Sequence, residues 1–326
     1  MSAHFMGYVA YGSLFLTLAL ISGVACLGLN LQWGQTGVFN VGVAGFMALG
    51  AYASALVTTL PVEGRLGGWG WPVAAGWLVA MLVAASASAL VGAASLRLRA
   101  DYLAITTFGV AVTVLLIVRN AQWLTGGPLG ISFIPRPFET LAPRPASFAL
   151  ATLGLVGAVV AALFVALQRL AQSPWGRVLR AVREDERAAR ALGKNAARYR
   201  LQAFAIGGAL MGLAGAMQAH VIGFIAPDNF EASLTFQIWT MLIIGGSGNN
   251  LGALLGAVLV AAIWSVTGLV TGMWFAPEDQ ARAAALRIVA IGILLAATIV
   301  LRPRGLCGER LTVSRHVTRA GAADSH

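Results

Sequence analysis

Apolar runs separated by short polar stretches organise almost the whole chain. Uncharged runs at 8–31, 37–60, 72–96, 102–118, 145–168 and 201–219 each have about the 20 residues that a helix needs to cross a bilayer. The run 232–277 has room for two such helices, with GGSGNNLG (245–252) as the turn between them. A last span, near 283–301, begins beside Arg282 and Arg287 and ends at RPRG. The pattern predicts an all-α integral membrane protein, a polytopic bundle of about eight or nine transmembrane helices. In the nine-span reading 37–60 crosses the membrane as a broken helix; in the eight-span reading it is re-entrant. Residues 1–301 then form the transmembrane domain, including a polar loop at about 169–200, and 302–326 is a basic tail expected to be disordered.

One run is built unlike the others. FNVGVAGFMALGAY (39–52) carries Gly42, Gly45 and Gly50 and the amide of Asn40, and Gly37 lies just before it. Small residues let backbones approach closely in lipid, but each glycine weakens a helix by roughly 1 kcal/mol relative to Ala. Unwound backbone is tolerated at membrane depth only where protein or a water-filled cavity surrounds it. The stretch 37–50 is therefore expected to face the protein interior and to line or abut a translocation path, with Asn40, Gly42 and Gly45 nearest to it. The competing reading is tight packing, with Asn40 as interhelical glue. Thr106 and Thr107, in LAITTFG, are the other hydroxyls placed near the path, against the reading that each bonds back to its own helix. Gly245, Gly246, Gly248, Gly252 and Gly256 form a second, loosely similar glycine set, as an internal repeat would.

Composition agrees with a bilayer. The chain has 326 residues, 58% hydrophobic and 10% charged, with mean hydropathy +0.80, whereas soluble domains carry about 25% charged residues. The first charged residue is Glu63, so no basic segment precedes the opening apolar run and no cleavable signal peptide is predicted. Cys26 and Cys307 are far apart and suggest neither a disulfide framework nor a metal site.

Charge placement matters more than the net +10. If the helices alternate, 16 of the 22 Lys/Arg fall in 97–101, 169–200 and 302–326, all on one side. Acidic residues divide evenly. Excess Lys/Arg marks the cytoplasmic side, which puts the C-terminus in the cytoplasm and, with nine spans, the N-terminus outside. The basic surplus is thus accounted for by the membrane, with no nucleic-acid partner.

The apolar runs lack chemistry of their own. Asp101 and Arg119 sit at the two ends of one predicted helix, and His220 at the outer end of another, where it reads as an interfacial polar residue. No Ser/His/Asp set, Cys/His set or carboxylate pair is placed for catalysis, and LGKNA (192–196) is only a fragment of a phosphate-binding loop. No catalytic, cofactor or metal site is predicted. A self-contained secondary transporter needs buried ionisable groups or a gated pore, and a membrane enzyme needs a catalytic constellation. A passive-path subunit driven by another protein needs neither.

The one long charged segment is SPWGRVLRAVREDERAARALGKNAARYR (173–200). Pro174 suits the first turn of a helix. Arg177, Arg180, Arg183, Arg187 and Arg190 recur at spacings of three and four, opposite an apolar stripe of Val178, Val182, Ala189 and Leu192. Gly193 suits the helix end and Asn195 the start of the next. Such a helix lies against anionic lipid or docks a cytoplasmic partner.

This segment resembles the cytoplasmic loop of the LivM-like permeases of branched-chain amino acid ABC transporters. GVFNVGVAGFMALGAY, DYLAITTFG, LTGGPLGI, GFIAPDNF, IIGGSGNNLGALLGA and LRPRGL also resemble blocks of that family, in its order, from about 28 to 306. The resemblance implies the transmembrane subunit of an ATP-driven importer. It would pair with a second, related permease and work with two cytoplasmic ABC ATPases, which bind the ATP, and a periplasmic substrate-binding protein. Importers of this class dock the ATPase through a loop with an E-A-A-x-x-x-G core; here AARALG (188–193) supplies all but the Glu, with Arg187 in its place and Glu186 one residue earlier. The resemblance places ATPase coupling on Glu184, Asp185, Glu186, Ala188, Ala189 and Gly193. It implies branched-chain or other apolar amino acids as cargo, with urea or short amides as the alternative. Val43 stands where many members have His. On the outer side, the Pro- and Gly-rich 120–145 is predicted to be irregular, either a contact for the binding protein or a lid over the helix ends.

Overall fold

In the computed structural model, the described residues are 2–274, scattered positions between 279 and 300, and 305–308. Most of the expected last span, 283–301, and most of the tail 302–326 lie outside them. The elements run α1 (Ser2–Leu29), a π-turn (Asn30–Gly34), α2 (Val43–Thr58), α3 (Val73–Ser95), α4 (Ala100–Asn120), the single turn α5 (Gln122–Thr125), β1 (Ile131–Ser132), α6 (Pro145–Gln172), α7 (Pro174–Glu184), α8 (Glu186–Ala191), α9 (Ala196–Ile222), β2 (Phe224–Ile225), α10 (Ala232–Gly245) and α11 (Asn250–Trp274). Among the described residues, six helices are long and apolar enough to cross a membrane: α1, α3, α4, α6, α9 and α11.

α2 and α10 are shorter. Their 16 and 14 residues reach about 24 and 21 Å at 1.5 Å per residue, less than a hydrocarbon core of about 30 Å. Each is continued by irregular backbone: α2 is preceded by non-helical residues 35–42, and α10 is followed by the turn 246–249.

α9 is the axis of the fold, with 78% of its apolar window buried. Glycines make this possible. A Cβ on Gly215 would lie 2.0 Å from the Met47 carbonyl oxygen, and one on Gly50 2.2 Å from that of Gly212, so α2 and α9 touch backbone to backbone. α3 meets α9 through a four-residue repeat of small buried residues, Gly76, Ala80, Ala84, Ser88 and Gly92. This is the small-xxx-small seam expected in lipid, where packing rather than apolar burial holds helices together.

Contacts sort the connections into two ends. At one end the irregular 34–37 meets α7, and the 246–250 turn meets the π-turn. Residues 306 and 307 also arrive there, their N–H groups donating to the carbonyls of Ile244 and Gly245. At the other end Leu66 bonds Trp123, β1 pairs antiparallel with β2, and Arg119 spans to Asp228 and Glu231.

Candidate functional site

The polar loop forms two helices rather than the single one expected from Pro174 to Gly193. Ser173 caps α7 through Gly176 N–H, with Pro174 in the first turn. The chain then leaves helical geometry at Asp185 (φ −147°), whose carboxylate accepts from the N–H groups of Arg187 and Ala188 at 2.8 and 3.0 Å and starts α8. An Asp side chain competing for backbone N–H groups breaks one helix and caps the next. The predicted arginine stripe is therefore divided: Arg177, Arg180 and Arg183 stay on α7, while Arg187 and Arg190 leave with α8. The apolar stripe also changes. Val182 and Ala189 are buried together with Ala196, but Leu192 is 80% exposed, past the end of α8.

The residues expected to couple to an ATPase fall on this elbow. Glu184, Asp185, Ala188 and Gly193 are exposed, Glu186 is half-buried and Ala189 is buried. Glu186 pairs with Arg190 and, at 2.7 Å, with Arg200. Gly193 has φ +77° and donates its N–H to the Arg190 carbonyl, closing α8 with left-handed backbone that a side chain disfavours. Asn195 caps α9 through Arg198 N–H, as its position predicts.

Above the elbow lies the glycine-rich break. The π-turn closing α1 buries Asn30, Gln32 and Gly34, and π-turns within helices recur at functional sites. Gln32 donates to the Phe204 carbonyl on α9 at 2.8 Å and accepts from Asn40 at 2.7 Å. Asn40 is fully buried. Its side-chain oxygen accepts from Gly42 N–H at 2.7 Å, and its backbone carbonyl accepts from the Trp239 indole of α10 at 2.9 Å. Thr107 of α4 accepts from Val41 N–H, and Thr235 of α10 from Ala44 N–H, both at 3.0 Å. The unwound backbone thus finds its partners on α4 and α10, while the Gln32 side chain ties it to α9, as buried polar groups require.

Asn40, Gly42, Gly45 and Thr107 come together here. Cβ atoms on Gly42 and Gly45 would fall 2.6 Å from the Thr107 carbonyl oxygen and 2.7 Å from Ala111 Cα, so both glycines let α4 approach. Thr106 stays outside, half-buried, its hydroxyl donating to the Tyr102 carbonyl of its own helix.

Break and elbow touch. Arg183 donates to the Gly34 carbonyl, and its side chain fills the space in front of Gly37, where φ is +70°. Arg180 reaches Gln35 at 3.3 Å. The second glycine turn joins from the other side: Asn30 donates to Asn250 at 2.9 Å and accepts from Gly248 N–H at 2.8 Å, and Gln35 donates to the Gly248 carbonyl at 2.8 Å. The two glycine sets are therefore in direct contact. α10 carries the connection outward, because Thr235 and Trp239 face the break while Gln237 and Met241 line a groove of about 410 Å³ shared with α1 and α11. That groove is mostly apolar, with Ser22, Gln237 and Ser265 as polar points.

Sequence reasoning missed three elements. The α9 glycines Gly207, Gly208, Gly212 and Gly215 and the α3 repeat were visible as small residues three, four and five apart. The groove left no sequence signal. His220 differs from its expected interfacial role: it is fully buried, 2.8 Å from the Ser54 hydroxyl and 2.7 Å from the Pro135 carbonyl. It thereby pins the irregular 120–145 segment over α2 and α9, with Ile131 and Ile134 buried beneath. That segment is therefore packed over the helix ends.

Comparison with known proteins gives this arrangement its context. The family model for a branched-chain amino acid transport system permease component matches residues 13–298. The chain is 36% identical over 267 residues to the high-affinity branched-chain amino acid transport system permease protein LivM of Escherichia coli, covering 75% of this chain and 60% of that protein. It is 27% identical over 325 residues to a probable branched-chain amino acid transport permease protein LivM of Methanocaldococcus jannaschii, covering 88% and 90%. The autoinducer 2 import system permease protein LsrC of an Enterobacter strain is 30% identical over 200 residues, covering 58% of this chain and 55% of its own. No solved structure matches. The chain thus spans about 60% of the length of the Escherichia coli relative, and with its helices, broken segment and ordered sequence blocks it belongs to the family of branched-chain amino acid transport permease components.

Proposed function

We propose that this chain is a permease subunit of an ATP-driven importer in the bacterial inner membrane, carrying branched-chain or other apolar amino acids delivered by a periplasmic binding protein. The observation that carries the reading is the grip of α7 on the break, through Arg183 to Gly34 and Arg180 to Gln35. A cytoplasmic ATPase that moves the α7–α8 elbow moves the backbone where α1 unwinds. Glu184, Asp185, Glu186, Ala188, Ala189 and Gly193 offer the docking surface, and ATP is bound by the ATPase subunits. A second, related permease completes the path.

The elbow end is the cytoplasmic one in this reading, because it holds the basic loop 169–200. Residues 35–58 then run from that end to the opposite one, α2 supplying about four fifths of a crossing and the irregular 35–42 the rest. With α10 and the span expected at 283–301, this gives the nine-span arrangement, N-terminus in the periplasm and C-terminus in the cytoplasm. Asn40, Gly42, Gly45 and Thr107 form the wall that holds the break, and the α1–α10–α11 groove is the nearest apolar space for cargo. Family membership and the names of the relatives support the cargo class.

The test is uptake of labelled leucine into proteoliposomes that contain the chain, its partner permease, the ATPases and the binding protein. ATP-dependent uptake that disappears in Gly193→Pro, with the variant still inserted, is the expected result. Uptake by the isolated chain without ATP would replace this reading with a self-contained carrier.

A further inference from the structure

A second cavity, of about 800 Å³, opens at the elbow end between the α3–α4 connection, the α7–α8 junction and the start of α9. Six arginines line it: Arg97, Arg99, Arg187, Arg190, Arg198 and Arg200. The three carboxylates beside them are already occupied. Asp185 caps α8, Glu186 is held by Arg190 and Arg200, and Glu184 lies 3.8 Å from Arg183. Among the described residues, the guanidinium groups of Arg97, Arg99, Arg187 and Arg198 have no acid partner, and the Nε of Arg200 is buried without an acceptor. A surplus of donors around one space, with an orphan donor in its wall, calls for an anion with several acceptor oxygens.

The other wall is apolar. It is made by Gly92 and Ala93 from the last turn of α3, by Leu96 just past it, and by Leu201 from α9, two helices long and apolar enough to span the bilayer. Arginines above and membrane-depth hydrocarbon below match a molecule that is anionic at the head-group level and apolar beneath it. An acidic protein segment would use the arginines but not the hydrocarbon. We propose that this cavity is a binding site for the phosphate head group of an anionic membrane lipid, its acyl chains lying along α3 and α9. A lipid held there touches both the α3–α4 connection and the Glu186–Arg200 contact that fixes the elbow, so lipid composition would regulate coupling. The proposal rests on the reading of this end as the membrane surface level, and not on the cargo or the ATPases.

The experiment extracts the full chain, with whatever subunits accompany it, from membranes and measures phosphatidylglycerol against phosphatidylcholine retained from an equal mixture by native mass spectrometry. R97Q/R99Q should lower the phosphatidylglycerol preference by roughly thirtyfold, five- to sixfold for each arginine. R177Q removes a charge from the same end but outside the cavity and should leave the preference within twofold; millimolar inorganic phosphate should not displace the lipid. Both arginines of the double variant are exposed, so its elution profile should match the parent. Equal loss in R97Q/R99Q and R177Q, no loss in either, or displacement by phosphate alone would overturn the site. So would a cross-link from R99C to an ATPase subunit combined with undiminished lipid retention, which would assign the cavity to an acidic protein segment. Retention of phosphatidylglycerol by a chain that brings no ATPase supports the site while sinking the importer reading, so the two fail separately.

Discussion

Asn40→Ala tests whether the break is held by its hydrogen bonds. The substitution strands two buried groups, the Gln32 side-chain oxygen and the Gly42 N–H. Each group left unsatisfied costs about 1–3 kcal/mol in a soluble interior. Side-chain hydrogen bonds between membrane helices measure lower, about 0.6 kcal/mol on average and up to about 1.7, because the unfolded chain in the bilayer also finds partners. Two stranded groups therefore predict a loss of about 1–3.5 kcal/mol, or about 3–10 °C in Tm at roughly 3 °C per kcal/mol for a large chain. Gln32 cannot compensate by turning its amide, because its nitrogen is already committed to the Phe204 carbonyl. Gln32→Met with Asn40→Ala removes both side-chain partners, so the double variant should lose less than the sum of the singles, by about 1 kcal/mol. Cys26, fully buried, reports unfolding by reaction with a thiol-specific fluorophore once Cys307 is replaced by serine. A Tm unchanged within 1 °C in Asn40→Ala, with transport abolished, would refute the reasoning and assign Asn40 to the cargo.

Other positions separate packing from surface electrostatics. Gly215→Val places side-chain atoms inside the Met47 carbonyl contact and should prevent stable insertion, read as loss of monodisperse protein after extraction, whereas Gly154→Val, with open space around it, should be tolerated. Arg119→Ala removes two ion pairs between exposed side chains, to Asp228 and Glu231, and should leave the melting temperature essentially unchanged; a clear loss would mean the pairs are shielded. Gly193→Pro forces φ near −65° onto a residue at +77° and removes the N–H that meets Arg190, so cargo-stimulated ATPase activity should disappear while insertion persists. Normal coupling in that variant would remove Gly193 from the docking surface.

The spans were legible because lipid demands unbroken apolar stretches, and α1, α3, α4, α6, α9 and α11 follow the uncharged runs closely. The start of α2 at Val43 was not legible. It is fixed by Thr107, Trp239 and Thr235, residues 64–196 positions further along the chain, and no local pattern carries such distant partners. Asn40 was recognisable as a group needing a partner, but its partner Gln32 lies only eight residues away, across a π-turn that helical periodicity does not announce. The split at Asp185 was written in the sequence as an N-cap residue followed by a short helix, yet the regular arginine spacing concealed it. His220 was misplaced because its burial depends on Pro135, in a loop whose path over the helix ends only the fold defines.

In the importer reading, this chain is moved by partners acting on its elbow. The most direct measurement is to tag the C-terminus, extract the protein gently from its native membrane and identify what accompanies it. A second glycine-rich permease and ABC ATPase subunits are expected, with the ATPases lost in Gly193→Pro and the permease retained. A chain that emerges alone, or only with copies of itself, and still transports would contradict it.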